Sequence, residues 1–247
     1  MQLPDFLITI LDQLTTSPGY IVYHLMMTFW AFGALLITVN YTRQSEPSLR
    51  SRGIIGLSAL LGIRLLLLIA FGLIADPEIY LPPIERALDA VGLVLILWMW
   101  AFQKPNRTGD IAAAVTAGLL LMAGIVSTVI WLNPAFSQAY ASFNASPLDI
   151  AWIALLILVI LAGEVILITS QPRGWANGFM VVVVVFFGVL SYIVFIKQFP
   201  GNFSSLIRLS QLAAFPFLIT LIQSIPITPP ASQPEATPSD EDKDAST

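Results

Sequence analysis

The sequence predicts an all-α, polytopic membrane protein: a bundle of seven transmembrane helices with the N-terminus outside and the C-terminus in the cytoplasm. Three observations predict it. The 247 residues are 57% hydrophobic and only 11% charged, whereas a soluble domain carries charge at about a quarter of its positions. Seven stretches are apolar over the ~20 residues needed to cross a hydrocarbon core of roughly 30 Å. The basic residues fall in alternate loops, which sets an orientation.

The seven stretches are residues 20–39, 54–74, 84–102, 111–132, 148–169, 175–196 and 206–225. Each must be a helix, because an isolated strand would leave its backbone polar groups unpaired in lipid. Turn chemistry separates them, as at Asp76-Pro77, Pro82-Pro83, Lys104-Pro105-Asn106 and Gln171-Pro172-Arg173-Gly174. The first loop holds Arg43, Arg50 and Arg52, the third Lys104 and Arg107, and the fifth Arg173. The second and fourth loops hold no Lys or Arg, and the sixth holds only Lys197. The odd loops therefore face the cytoplasm. The expected location is the inner (plasma) membrane, with lipid as the first partner.

Two segments flank this domain, which covers residues 18–225. Residues 1–17 lack the basic region of a cleavable signal peptide. Their apolar positions Leu3, Phe6, Leu7, Ile10, Leu11 and Leu14 recur at helical spacing, so a short amphipathic helix is expected in the interface or capping the bundle. Residues 226–247 turn to Pro, Ser/Thr and acid, a composition that cannot offset ordering entropy and predicts a disordered cytoplasmic tail.

Composition also excludes functions. The net charge of -4 comes from the end of the chain, where Asp240, Glu241, Asp242 and Asp244 lie, so nucleic acid is not an expected partner. With no cysteine and one histidine there is no disulfide, no thiol chemistry and no site rich in nitrogen or sulfur ligands; no metal and no cofactor are expected. A retinal-binding rhodopsin needs a lysine in the middle of its last helix, and none stands there. HExxH, P-loop and membrane Ser/Lys patterns are absent, so no enzyme activity is expected.

Ionisable residues at membrane depth are costly and are functional candidates. Here they are His24, Arg64, Glu85, Arg86, Asp89, Glu164 and Arg208. At 1.5 Å per residue, His24, Asp89 and Arg208 each lie roughly 8–10 Å below the outer ends of their helices. Glu85 and Asp89, four apart, share a helix face, and Ser204, Arg208 and Gln211 line another. Asp89 or Glu85 is therefore expected to meet Arg208, with Arg64 the second candidate, at the floor of a cavity open to the outside. The competing reading is a buried ion pair that fixes helix register and binds nothing; for Glu85 and Arg86 alone, a separate reading places them in the headgroup zone. His24 is either a pH-sensing group or a packing residue. Glu164, in the inner half, is either hydrogen-bonded or a proton relay. Pro216 should bend the last helix. Ala113/Ala117 and Ala114/Gly118 are small-residue pairs of the kind that let helices approach closely.

Two stretches carry a family likeness. Pro82-Pro83-Ile84-Glu85-Arg86-Ala87-Leu88-Asp89 and Arg208-Leu209-Ser210-Gln211-Leu212-Ala213-Ala214-Phe215-Pro216 resemble the N-terminal seven-transmembrane sensor region of bacterial membrane-bound signalling proteins, especially two-component histidine kinases. The resemblance implies a bundle that takes an extracellular or in-membrane cue, such as a small-molecule ligand, and passes it to a histidine kinase or other cytoplasmic signalling protein. It places Glu85, Arg86, Asp89, Arg208 and Gln211 at the site. The departure is that the sequence reaches Thr247 with no phosphoacceptor histidine and no nucleotide-binding glycines. Two alternatives stand beside it: a small solute or proton-coupled transporter, against which the absence of an internal repeat argues, and a passive structural subunit.

Overall fold

A computed structural model describes residues 4–41, 47–102, 106–199 and 201–224, without the side chains of 47–50 and 224. Arg43, Lys104, the side chain of Arg50 and the tail 226–247 lie outside the described residues. The described elements are helical throughout. In order they are α1 (Asp5–Gln13), α2 (Gly19–Tyr41), α3 (Pro47–Leu73), α4 (Pro77–Tyr80), α5 (Pro82–Ala101), α6 (Arg107–Trp131), α7 (Pro134–Ser137), α8 (Pro147–Ser170), α9 (Trp175–Phe195) and α10 (Ser205–Ala214). A 3-10 turn, Ile196–Gln198, follows α9, and a 3-10 segment, Phe215–Ser224, continues α10.

Six of these helical stretches are long and apolar enough to cross a membrane: α2, Ser51–Leu73 of α3, α6, α8, Trp175–Gln198 and Ser205–Gln223. This is the make-up of a multi-pass membrane protein. The remaining expected span, α5, is 20 residues long. It differs in carrying three ionisable side chains, Glu85, Arg86 and Asp89, in its first eight residues.

Local chemistry explains the ends. Pro82 and Pro83 open α5 and Pro147 opens α8, where a missing N–H costs nothing. Asn106 Oδ1 accepts from Gly109 N at the start of α6, and Ser146 Oγ accepts from Asp149 N at the start of α8. Gly174, at φ 71°, supplies the left-handed residue of the tight link into α9. Pro216 has no N–H to donate to the preceding turn. The α-helical ladder of the last span accordingly ends at Ala214, and the chain winds on in 3-10 form. The second and fourth loops each contain one helical turn, α4 and α7.

α5, with three charged side chains in 20 residues, is the most enclosed of the long helices. Sixteen of the 20 residues of α5 are buried. Around it pack α3, α6, α8, α9 and the 3-10 segment; α2 closes the ring between α3 and that segment. α6 packs on α5 from outside the ring and leaves most of its surface uncovered. The core beside α5 is apolar, with Leu57, Leu60, Leu93, Ile96, Trp100, Ile160, Val182 and Val185 buried. Glycine allows two of the approaches to α5. A methyl at Gly178 would lie 2.8 Å from Trp100 Cγ, and one at Gly124 would lie 2.5 Å from Ala87 Cβ. Of the small pairs on α6, Ala113 and Ala117 pack inward, whereas Ala114 and Gly118 are exposed.

Gly178→Val and Gly124→Val should each destabilise the bundle by about 1–3 kcal/mol through overpacking. Gly118→Ala, where an added methyl meets nothing within 4 Å, should leave the apparent Tm in nanodiscs unchanged.

Candidate functional site

Antiparallel packing brings the first turns of α2, α5, α8 and α10 to the same end of the bundle as the last turns of α3 and α9. Nearly all the buried charge gathers there. Four groups of contacts make up this end.

Arg208 on α10 faces Glu85 on α5. Its Nε donates to Glu85 Oε1 at 2.8 Å and its Nη2 to Oε2 at 2.7 Å, a two-pronged pair with both residues 1% exposed. Its Nη1 donates to the carbonyl of Leu14, just after α1. The guanidinium also lies under aromatic rings, 4.3 Å from the centroid of Phe203, 5.0 Å from Tyr23 and 5.4 Å from Phe71. Arginine suits this position because its planar fork matches a carboxylate and its faces stack on rings.

His24 stands next to this pair. Its Nε2 is 3.9 Å from Glu85 Oε1, too far for a hydrogen bond, and its ring stacks on Phe71 at 4.4 Å. Neither ring nitrogen has a hydrogen-bond partner, although the residue is fully buried. The neighbouring Tyr23 hydroxyl donates to Gln211 Oε1.

One turn deeper, Arg64 on α3 donates from Nη1 to Asp89 Oδ1 at 2.9 Å, and its guanidinium lies 4.9 Å from the ring of Phe215. Its Nε is buried and unpartnered.

On the far side of α5, Arg86 Nε donates to Asp149 Oδ1 at 3.1 Å and Nη1 to Ser204 Oγ at 3.0 Å. Tyr192 of α9 donates its hydroxyl to Asp149 Oδ2 at 2.7 Å, and the backbone N of Ala145 donates to the same oxygen at 3.1 Å. The loops bounding this side are tied together. Asn144 Nδ2 donates to the carbonyls of Phe199 and Phe203, and Asn202 Oδ1 accepts from Phe143 N at 2.7 Å.

The two carboxylates of α5 thus divide the arginines between them: Glu85 takes Arg208, and Asp89 takes Arg64. Arg86 is buried and paired with Asp149. Gln211 joins through Tyr23. Glu164 does not join. It is half-buried, and it lies 15 residues beyond Asp149 on α8, roughly 22 Å along the axis. Pro216 follows the Phe215 ring that covers Arg64. Among the described residues, Leu14 and Phe203 cover Arg208, and the paired groups are buried.

Sequence reasoning missed Asp149, Tyr192, Tyr23 and Asn144. Among the described residues no cluster of three metal-ligating side chains occurs. The opposite end is simpler. There Arg52 and the Trp98 indole both bind Asp110 Oδ1, at 2.7 and 2.8 Å, and Asp110 is 43% exposed.

No family model, no curated protein and no solved structure matches the chain.

Breaking one partner of a buried pair strands the other charge, at about 3–5 kcal/mol, whereas replacing both by apolar residues is far less costly. Glu85→Leu should therefore lower the apparent Tm in nanodiscs much more than the Glu85→Leu/Arg208→Leu double variant. Equal losses would mean that the pair does not exist.

Proposed function

We propose that this chain is a seven-span sensory module of a bacterial plasma membrane. It would place the N-terminus and the charge layer on the outer side and pass a cue to a cytoplasmic signalling partner. α5 is the seventh span: its charges are paired within the bundle, so none needs to face lipid. The alternation of basic loops supports the orientation, and the likeness of residues 82–89 and 208–216 to sensor regions of histidine kinases supports the class.

The observation that carries the reading is the contact of Arg64 with both Asp89 and Phe215. The charge layer there touches the residue at which the last span changes from α to 3-10 winding. A change in pairing on the outer side therefore acts on the segment that leads to the cytoplasm. A transporter would need polar groups continuing to the opposite face. Among the described residues the buried side chains between the two ends are largely apolar, and Glu164 stands apart from the layer. Proteoliposomes should accordingly show no proton or solute flux above that of empty vesicles.

Asn177 Nδ2 donates to Gln223 Oε1 at 2.9 Å, at the far end of the last span. The chain has no native cysteine, so Asn177→Cys/Gln223→Cys reports this contact cleanly. Asp89→Asn should change the disulfide cross-linking rate of that pair at least threefold. An unchanged rate would remove the transmission route. A reporter fused after Thr247 should stay cytoplasmic; its appearance on the exterior would overturn the orientation.

A further inference from the structure

The roof over Arg208 contains a small cavity, about 120 Å³, between α1 and the start of α10. Ile8, Asp12 and Thr15 line it from the α1 side, and Phe199, Phe203 and Ser205 from the other. A water needs roughly 10–15 Å³ of such volume, so there is room for a molecule of several heavy atoms.

The α10 end of the cavity is short of acceptors. Ser204 is the N-cap residue of α10, yet it makes no capping bond, because its Oγ accepts from Arg86. The amides of the first turn are left without the side-chain acceptor that position normally supplies. Ser205, the next residue, is 1% exposed, and its Oγ has no hydrogen-bond partner. An uncapped helix start and a buried, unused hydroxyl converge on one space. Both offer hydrogen to an anionic oxygen, and the helix dipole favours negative charge there. The α1 side has the opposite character, since Asp12 brings a carboxylate.

We propose that this cavity is a binding site for a small zwitterion of the α-amino acid class. The ligand carboxylate lies on the first turn of α10 and Ser205 Oγ, and its ammonium faces Asp12. The volume restricts the ligand to a short side chain, as in glycine, alanine or serine. The inference deepens the sensory reading and rests on it for its consequence. A ligand bridging α1 and α10 bears on the turn that carries Leu14, whose carbonyl holds Arg208.

The test is equilibrium dialysis of labelled alanine against the full chain in nanodiscs, with the apparent Tm recorded on the same samples to show that each variant folds. Saturable binding is expected, weakened at least tenfold by Ser205→Ala and by Asp12→Asn. Acetate, which lacks the ammonium, should compete at least tenfold less well than alanine, and that weakness should vanish in Asp12→Asn. No saturable binding of alanine, glycine or serine would overturn the site, and the space would then hold water only. Binding untouched by either substitution would overturn it equally. Alanine that binds as expected but leaves Asn177→Cys/Gln223→Cys cross-linking unchanged would support the site while removing the sensory reading.

Discussion

The two-pronged contact between Arg208 and Glu85 is the constraint around which the outer end of the bundle, as oriented above, is arranged. A charge taken out of water costs several kcal/mol even after relaxation, and it is tolerated only when its partner and its remaining hydrogen bonds are supplied. Glu85 gives both oxygens to Arg208, and Arg208 gives its third nitrogen to Leu14. The geometry this demands fixes α5 against α10 and draws the end of α1 over both. It also explains why α5 is central. With Arg64, Asp149 and Arg208 around it, each charge of α5 finds its opposite inside the protein.

The satisfaction is incomplete in a revealing way. Unmade hydrogen bonds in a low-dielectric interior cost about 1–3 kcal/mol each, so native structures hold few. Here His24, Arg64 Nε, Arg86 Nη2, Asn144 Oδ1 and Ser205 Oγ lack partners at the charged end, and Trp100 Nε1 lacks one toward the other end. Such departures from local consistency collect where a protein works rather than where it merely packs. At the other end Arg52 is buried while its partner Asp110 is partly exposed, and Arg52 also donates to the Phe102 carbonyl. Most of the buried ion pairs therefore stand at one end of the bundle.

Much of this was legible in the sequence because lipid leaves few choices. Backbone that must satisfy itself forms helices, and the expected 111–132 and 148–169 correspond to Arg107–Trp131 and Pro147–Ser170. Depth counting put His24, Asp89 and Arg208 at one level. It could not assign partners, because Glu85 and Asp89 share a face and only the positions of α3 and α10 decide which carboxylate each arginine reaches. Asp149 was hidden by its neighbours. Ser146-Pro147-Leu148-Asp149 reads as a helix start, and the carboxylate does accept from Ala145 N there; its second oxygen, on Arg86, leaves no mark in the sequence. The carbonyl of Leu14 could not be foreseen at all, since a backbone group has no residue signature.

The last span shows how a static charge layer could act at a distance. A 3-10 helix rises ~2.0 Å per residue against ~1.5 Å for an α-helix, with poorer hydrogen-bond geometry. Rewinding the ten residues of Phe215–Ser224 would therefore move the far end by roughly 5 Å. Pro216 makes the two windings close competitors, because it removes one bond from the α ladder that would otherwise win. Phe215, the residue at the joint, is held under Arg64, and Arg64 is held by Asp89. In the proposed reading, a small displacement of one guanidinium would bear on this 3-10 segment through Phe215. Coupling of this kind needs no polar path through the membrane and no large motion at the charged end, only two arrangements of the segment that differ in how they seat Phe215.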